Sequence, residues 1–337
     1  MFEGKKILIT GGTGSLGQFL TKRLLKDDVD TIRILSRNEG KQIEMENIFD
    51  DSRLRFFLGD VRDEDRLVKA TEDIDIVFHT AALKHVTKIE YNPFEGIKTN
   101  VMGSQNVINA CTINNVEKVV CVSTDKAVSP LNTYGATKLL AEKLFVTANN
   151  YIDPDKHRTK FIALRYGNVV GSSGSVIPKF IQQLQNKREL TVTDLQMTRF
   201  SITMDEASDF ILQATELGQG SEIFVPKLKA YSLLDVKTAL NDIFGDYGTN
   251  KIGIQPGEKL HEILINKDEM RYAWDFKNMY VLTNPLYPIF HPNLINETYD
   301  GINKIENMDV YSSDNVEKIP LNELKKIIQN YIDIQNE

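Results

Sequence analysis

Residues 5–17 read KKILITGGTGSLG: a short apolar run, a glycine-rich turn, and the start of a segment with helical spacing. The run over 5–10 has the pattern of a fully buried strand. Leu16, Phe19, Leu20 and Leu24 fall on one side of the helix predicted over 15–26. Between them, Gly11, Gly14 and Gly17 stand in a GxxGxxG spacing. Glycine accepts positive φ in a tight turn and lets the backbone come close to a ligand. The helix N-terminus behind the turn directs free N–H groups at an anion such as a pyrophosphate. A glycine trio alone is a weak signal. Set between a strand and a helix, it reads as a dinucleotide-binding turn, with Gly11, Thr13, Gly14, Ser15, Leu16 and Gly17 as its contacts.

Outward from this turn, strand and helix alternate. TIRILS (31–36), RLRFFLGD (53–60), IDIVFHTA (74–81), VEKVVCVST (116–124) and KFIALRYG (160–167) read as strands. Residues 64–71, 93–113 and 134–149 read as helices. This predicts an α/β fold: a Rossmann-type, doubly wound parallel sheet with helices on both faces and right-handed crossovers. After about residue 167 the alternation weakens. GNVVGSSGSV (167–176) is a Gly/Ser-rich loop, and FIQQLQNKREL (180–190) a helix and its exit. EIFVP (222–226) fits a late strand of the same sheet, and 258–265 and 320–332 are expected as helices. The expected division is a dinucleotide-binding domain of 1–167 plus about 197–226, and a smaller substrate-binding lobe of 168–196 and 227–337.

The composition is that of an ordinary globular chain: 337 residues, 41% hydrophobic and 26% charged. A formal charge of −7 gives no global pull toward nucleic acid or an anionic membrane, so a phosphate site must be built locally. No basic stripe or nucleic-acid motif is present, and no nucleic-acid partner is expected. Cys111 and Cys121 lie in apolar segments and read as buried small hydrophobes, which suits a reducing cytosol. His79, His85, His157, His261 and His291 show no metal-ligand spacing, so no metal is expected. The opening MFEGKKILITGG lacks a signal-peptide cleavage pattern, and no apolar run nears the roughly 18 residues that span a bilayer. The expectation is a soluble, cytoplasmic protein with no membrane partner.

The second strand ends Leu35-Ser36-Arg37-Asn38, with Lys41 close behind. NAD sites usually carry an acidic residue here, bonded to the ribose 2′-OH. A hydroxyl and two cations suit a 2′-phosphate better, which favours NADP over NAD. Glu39 lies beyond the usual position.

STDKAVSPLNTYGATK (123–138) carries the chemistry. Tyr134 and Lys138 are four apart on a predicted helix and share a face. A Lys cation near a phenol lowers the phenol's pKa from about 10. A phenolate can take a hydroxyl proton while hydride leaves the same carbon. A Ser or Thr at the end of the preceding strand can hold that oxygen. YxxxK ten residues after Thr124, and downstream of GxxGxxG, is a specific combination. Simple alcohol oxidation has no need of the intervening Asp125-Lys126, whereas a dehydratase needs such an acid/base pair. A ketone at C4 of a sugar acidifies the C5 hydrogen; a base removes it while an acid protonates the departing C6 hydroxyl.

The GxxGxxG turn with YxxxK resembles the extended short-chain dehydrogenases/reductases. Within that class, retaining dehydratases of the dTDP-glucose type carry Asp-Glu after the Thr. This chain reads Thr-Asp-Lys, which resembles the inverting UDP-N-acetylglucosamine 4,6-dehydratases. GDVRD (59–63), AALKHV (81–86), EYNPFEGIKTNVMGSQNVINAC (90–111), RYGNVVGSSGSVIP (165–178), MTRFSI (197–202) and PGEKLHE (256–262) share the likeness, which runs to about residue 280. Beyond that only SSDN (312–315) contributes. The resemblance implies Tyr134 as the C4-OH base, Lys138 as its tuner and Thr124 as a bond to the substrate hydroxyl. It implies Lys126 as the C5 base and Asp125 as the C6-OH acid, with the reverse split also open. As a base, Lys126 would need a pKa well below about 10.4, and Asp125 as an acid one above about 3.9.

The resemblance further implies Asp60-Val61 at the adenine, Ala81-Ala82 at the nicotinamide-side phosphate, and Lys84, Asn100, Tyr134 and Lys138 at the cofactor. A UDP-sugar substrate is expected at Lys84, His85, Asn168, Arg199, Glu258 and Lys259, with Arg165 a further candidate cation for phosphate. The family forms homo-oligomers, which makes a dimer or hexamer the expectation, and feeds surface glycans of the pseudaminic acid kind. Two rivals remain: a UDP-sugar 4-epimerase, which needs no Asp125-Lys126 pair, and a non-catalytic NADP-sensing regulator, which would typically lose the Tyr or the Lys.

Overall fold

In the computed structural model, residues 1–171, 175–255, 257–286 and 298–336 are described. Ser172, Ser173 and Gly174 of the Gly/Ser-rich loop, Pro256 of PGEKLHE, and His291 lie outside them.

The apolar runs form strands because alternate residues meet different helix layers. Ile7 and Ile9 of β1 (Lys6–Thr10) belong to one core, with Leu20 and Leu24 of α1 (Ser15–Leu24); Leu8 belongs to the other. The alternation continues through β2 (Thr31–Ser36), α2 (Glu39–Phe49), β3 (Leu54–Leu58) and α3 (Glu64–Thr71). Next come β4 (Ile76–His79), α4 (Val86–Tyr91), α5 (Pro93–Gly96) and α6 (Gly103–Ile113). A π-helical turn over Ile97–Met102 joins α5 to α6, so the long helix expected over 93–113 is continuous but locally widened. β5 (Lys118–Val122), α7 (Thr133–Ala148) and β6 (Lys160–Leu164) complete the first half.

The second half is more broken. It holds β7 (Asn168–Val169), α8 (Val176–Gln185), β8 (Leu190–Val192), β9 (Thr198–Ile202), α9 (Met204–Leu217) and β10 (Glu222–Pro226). Then follow β11 (Ala230–Ser232), α10 (Leu233–Phe244), β12 (Thr249–Lys251), β13 (Ile263–Ile265), β14 (Ala273–Phe276) and β15 (Met279–Thr283). β16 (Asn303–Lys304), β17 (Tyr311–Ser312) and α11 (Leu321–Asn336) close the chain.

The main sheet has the order β16-β14-β15-β10-β6-β5-β4-β1-β2-β3. From β3 to β10 every pairing is parallel, as the doubly wound reading requires. EIFVP is indeed a strand of this sheet, with Ile223 opposite Ala163. The antiparallel ribbon β14-β15 then extends the edge. No strand is expected there from sequence. The helix expected over 258–265 does not form. His261 bridges to Thr198, and Ile263–Ile265 pairs with Tyr311–Ser312 instead. A third core gathers Phe180 and Leu184 of α8, Val236 and Leu240 of α10, and Leu324 and Ile328 of α11. Among the described residues no helix is long and apolar enough to cross a membrane. Cys111 and Cys121 are buried free thiols.

Candidate active site

β1 leads into Gly11, whose φ is +68°. A Cβ there would lie 2.8 Å from the backbone of Ala81, so the turn closes against the loop after β4 only with glycine. Gly14 caps α1 without a side-chain hydrogen bond, and the first turn of α1 holds no acidic residue. The N–H groups there remain for an anion, and the glycines leave the backbone bare enough for it to approach. A crevice of about 660 Å³ opens over the turn. Every residue expected at the cofactor lines it except Asn100, Tyr134 and Lys138; His85 lines it as well. This donor set fits a dinucleotide phosphate.

At the end of β2, Asn38 Oδ1 accepts from Lys41 N at 3.0 Å and caps α2. The buried Ser36 hydroxyl accepts from Gln42 Nε2 at 3.0 Å. Arg37, more than half exposed, lies 3.7 Å from Asp60, which Arg62 holds at 2.6 Å. Burial alone would raise the Asp60 carboxyl, but the hydrogen bonds and charge of Arg62, with Arg37 behind it, hold it below the usual range. Asn100 sits in the π-helical turn and is buried. Its amide accepts from Leu83 N at 2.8 Å and donates to Leu83 O and Thr137 Oγ1, each at 3.0 Å. It anchors the loop after β4 to α7.

β5 runs out into Ser123 and Thr124, then one 3₁₀ turn over Asp125–Ala127. Thr124 Oγ1 donates to Asp125 Oδ1 at 2.7 Å. Lys126 Nζ donates to the same oxygen at 3.1 Å and to Asn168 Oδ1 at 3.4 Å. On its other side, Glu262 Oε1 lies 3.9 Å away, and Arg199 Nε is 3.5 Å from that oxygen. Asp125 and Glu262 are buried, at 1% and 4% exposure. Asp125 Oδ2 and Glu262 Oε2 have no hydrogen-bond partner among the described residues.

Burial would lower the Lys126 ammonium, but Asp125 and Glu262, with the Tyr134 phenol, outweigh it and raise the pKa well above the ordinary lysine value. This is opposite to the direction expected of a free-standing base. Burial and the neighbouring Asp125 raise the Glu262 carboxyl, against the pull of Lys126, Arg199 and Lys259.

α7 starts on Asn132, whose Oδ1 accepts from Gly135 N at 2.8 Å. Tyr134 is half-buried on the first turn. Lys138, one turn on, is buried and donates to Val122 O at 2.7 Å. Gly135, next to Tyr134, packs against the Lys126 carbonyl, so the start of α7 and the Thr124-Asp125-Lys126 turn lie side by side.

The expected substrate residues fall in two places. Lys84 and His85 lie on the crevice, just before α4. Asn168, Arg199 and Lys259 lie around the Thr124-Asp125-Lys126 turn, through Lys126, Glu262 and Val128 respectively. Arg199 donates to Thr198 O at 2.8 Å and Leu260 O at 3.2 Å. Lys259 donates to Val128 O, and burial lowers its ammonium. Glu258 is exposed and accepts from Gln255 N at 3.1 Å.

Arg165 is a correction. It is fully buried, with Glu142 at 3.1 and 2.7 Å, Glu269 at 3.0 and 2.9 Å, and Leu264 O at 2.9 Å. Its donors are committed to an internal ion-pair cluster, so it is no phosphate ligand. Glu262 is the residue the sequence reading passed over. It lies inside PGEKLHE, but nothing near it in sequence marks its approach to Lys126.

Residues 7–284 match the family described as polysaccharide biosynthesis protein. The UDP-N-acetylglucosamine 4,6-dehydratase (inverting) of Campylobacter jejuni is 46% identical over 319 residues, covering 94% of each chain. The UDP-glucose 4-epimerase of Rickettsia bellii is 40% identical, covering 100% of this chain and 99% of its own. Among solved structures, Pen from Bacillus thuringiensis superposes with a TM-score of 0.88 at 37% identity, covering 98% of both chains. With family match, relatives and site geometry in agreement, this chain belongs to the polysaccharide biosynthesis protein family.

Proposed function

We propose that this protein is an inverting UDP-N-acetylglucosamine 4,6-dehydratase that yields the 4-keto-6-deoxy-L-arabino sugar nucleotide for surface-glycan synthesis. The observation that carries the reading is the Thr124-Asp125-Lys126 turn, with Lys126 Nζ 3.1 Å from Asp125 Oδ1, packed under the helix of Tyr134 and Lys138. The 46% identical dehydratase of Campylobacter jejuni supports it.

A nicotinamide dinucleotide held by the crevice residues over the Gly11–Gly17 turn would supply a hydride acceptor for C4 and a hydride donor for C6. Tyr134 takes the C4 hydroxyl proton, and Lys138 steadies the charge that develops there. Thr124 bonds the sugar hydroxyl. Lys126 removes the C5 proton, and Asp125 delivers one to the departing C6 hydroxyl. Arg37 and Lys41, with no acid at the end of β2, favour NADP over NAD. Asn168, Arg199, Glu258 and Lys259, with Lys84 and His85, form the UDP-sugar side. The dinucleotide domain is 1–167 with about 197–226, and the segments around it form the substrate lobe. Exposed Tyr91, Phe94, Met102 and Leu140 on and between α4 and α7 suit a homo-oligomer contact. Two free buried thiols suit a cytoplasmic setting.

The Rickettsia relative keeps a 4-epimerase as the second reading. Proton NMR of the protein with UDP-N-acetylglucosamine in D2O separates the two. A C6 methyl signal with deuterium at C5 and L-arabino couplings is expected. The C4 epimer without a methyl signal would assign an epimerase.

A further inference from the structure

Glu262 is brought to the catalytic turn from far along the chain, and the reaction above gives it no task. Its main chain is fixed on both sides. Glu262 N donates to Ser313 Oγ at 2.9 Å, and Ser313 N to Glu262 O at 2.8 Å. Two residues on, Leu264 O accepts from Arg165. The carboxylate, by contrast, is held loosely. Its closest cations stand at 3.5 Å (Arg199) and 3.9 Å (Lys126), and Oε2 has no hydrogen-bond partner among the described residues. A buried carboxylate placed only to stabilise the fold would be expected to have its oxygens satisfied.

The proposed chemistry leaves one proton unassigned. Lys126 as an ammonium has no lone pair, so it must lose a proton before it can take one from C5. Two carboxylates flank Nζ. Asp125 is engaged as the acid for the C6 hydroxyl, which leaves Glu262.

We propose that Glu262 is a positioning residue that accepts the Lys126 ammonium proton and so frees the amine for C5; this rests on the dehydratase reading. The proton passes from Nζ to the Glu262 carboxylate, and both charges vanish together, so the buried site gains no net charge. The amine lone pair then forms an N–H bond with the C5 hydrogen. The C5–H electron pair becomes the second C5–C6 bond. The C6–O pair leaves with the hydroxyl, which takes the Asp125 carboxyl proton to form water. When Lys126 returns a proton to C5, Glu262 returns its own to Nζ.

The groups facing this pair are Asp125 on the 3₁₀ turn, Tyr134 on α7, Arg199 on β9, Tyr231 on β11, and Lys259. Burial, with Asp125, raises the Glu262 carboxyl against the pull of Lys126, Arg199 and Lys259, the direction a proton-holding group requires.

The test is the pH profile of Glu262→Gln and Glu262→Asp, loaded with cofactor, from pH 6 to 10 with UDP-N-acetylglucosamine. In Glu262→Gln the proton must go to solvent. Its rate at pH 7 is expected to fall about 100-fold and to climb about tenfold per pH unit, while the parent profile stays shallow. Glu262→Asp should recover part of the shallow profile. A parental rate and profile in Glu262→Gln would overturn the proposal. So would a loss that is equal at every pH, which would mark a purely structural residue. No turnover by the parent protein would sink the dehydratase reading itself, and this proposal with it.

Discussion

A Cβ on Gly135 would stand 2.2 Å from the carbonyl oxygen of Lys126. The first turn of α7 therefore rests directly on the Asp125–Ala127 turn, and the residue between Tyr134 and Ala136 can carry no side chain. Gly135→Ala must push one away from the other. Overpacking of this kind costs about 1–3 kcal/mol. The expected result is a lower unfolding midpoint in urea, together with a drop in kcat of at least roughly tenfold, since an ångström-scale displacement of reacting groups can cost about 100-fold. Unchanged kcat would show that the contact does not set the geometry of Tyr134.

Lys126→Ala removes the proposed C5 base and leaves the crevice residues in place. Turnover of UDP-N-acetylglucosamine should fall by about 10²–10⁴-fold, the usual worth of a general acid or base. Dinucleotide absorbance of the purified variant should match the parent. Full turnover would exclude Lys126 as the base.

Arg37 lies over the crevice at the end of β2, only loosely engaged with Asp60 at 3.7 Å. Arg37→Ala should weaken NADP binding by about 10–100-fold, the worth of a hydrogen bond to a charged group, and leave NAD binding nearly unchanged. Calorimetric titration of both dinucleotides measures the difference. Equal losses would mean that Arg37 does not read the 2′-phosphate.

How far these residues were legible beforehand follows from how local their partners are. The turn at Gly11–Gly17 and the run 123–138 are contiguous, so spacing alone exposed them. The parallel strands announced themselves as apolar runs that face a helix layer on both sides. Arg165 was misread because its partners Glu142 and Glu269 lie 23 and 104 positions away. An arginine in a sequence looks the same whether its fork meets phosphate or buried carboxylates. EKLHEILI has a helix-like apolar rhythm, yet its end pairs with Tyr311–Ser312 as a strand, and that partner decides its conformation. Strands of two or three residues, such as β7, β13 and β17, are too short to show a period.

Glu222 supplies a pH signature of the fold. Burial pushes its carboxyl up to about 7, although Tyr299, Gly220 and Gln219 donate to it. Below about 4.5, the ordinary value, folded and unfolded chains both carry the proton. Between that pH and about 7 only the folded chain does, so stability declines as pH rises through this window. Urea unfolding across pH 4.5–7.5 should show a shallower decline in Glu222→Gln than in the parent. Identical slopes would assign the effect elsewhere.

The Arg165 cluster has a consequence for how such a protein could be altered or divided. Its fork joins β6 and α7 to Leu264 and Glu269 in the later part of the chain. Tyr134 and Lys138 belong to a piece of chain that is complete by residue 148. Glu262 arrives more than a hundred residues later, on a segment held by Arg165 at Leu264, by Ser313, and by the pairing of Ile263–Ile265 with Tyr311–Ser312. Under the proposed reaction, the tools for oxidising an alcohol and part of the equipment for expelling water are thus modular. A change confined to Glu262 would then bear on the expulsion of water and spare the oxidation, whereas exchanging the whole late segment would also take Glu258 and Lys259 from the sugar-nucleotide side.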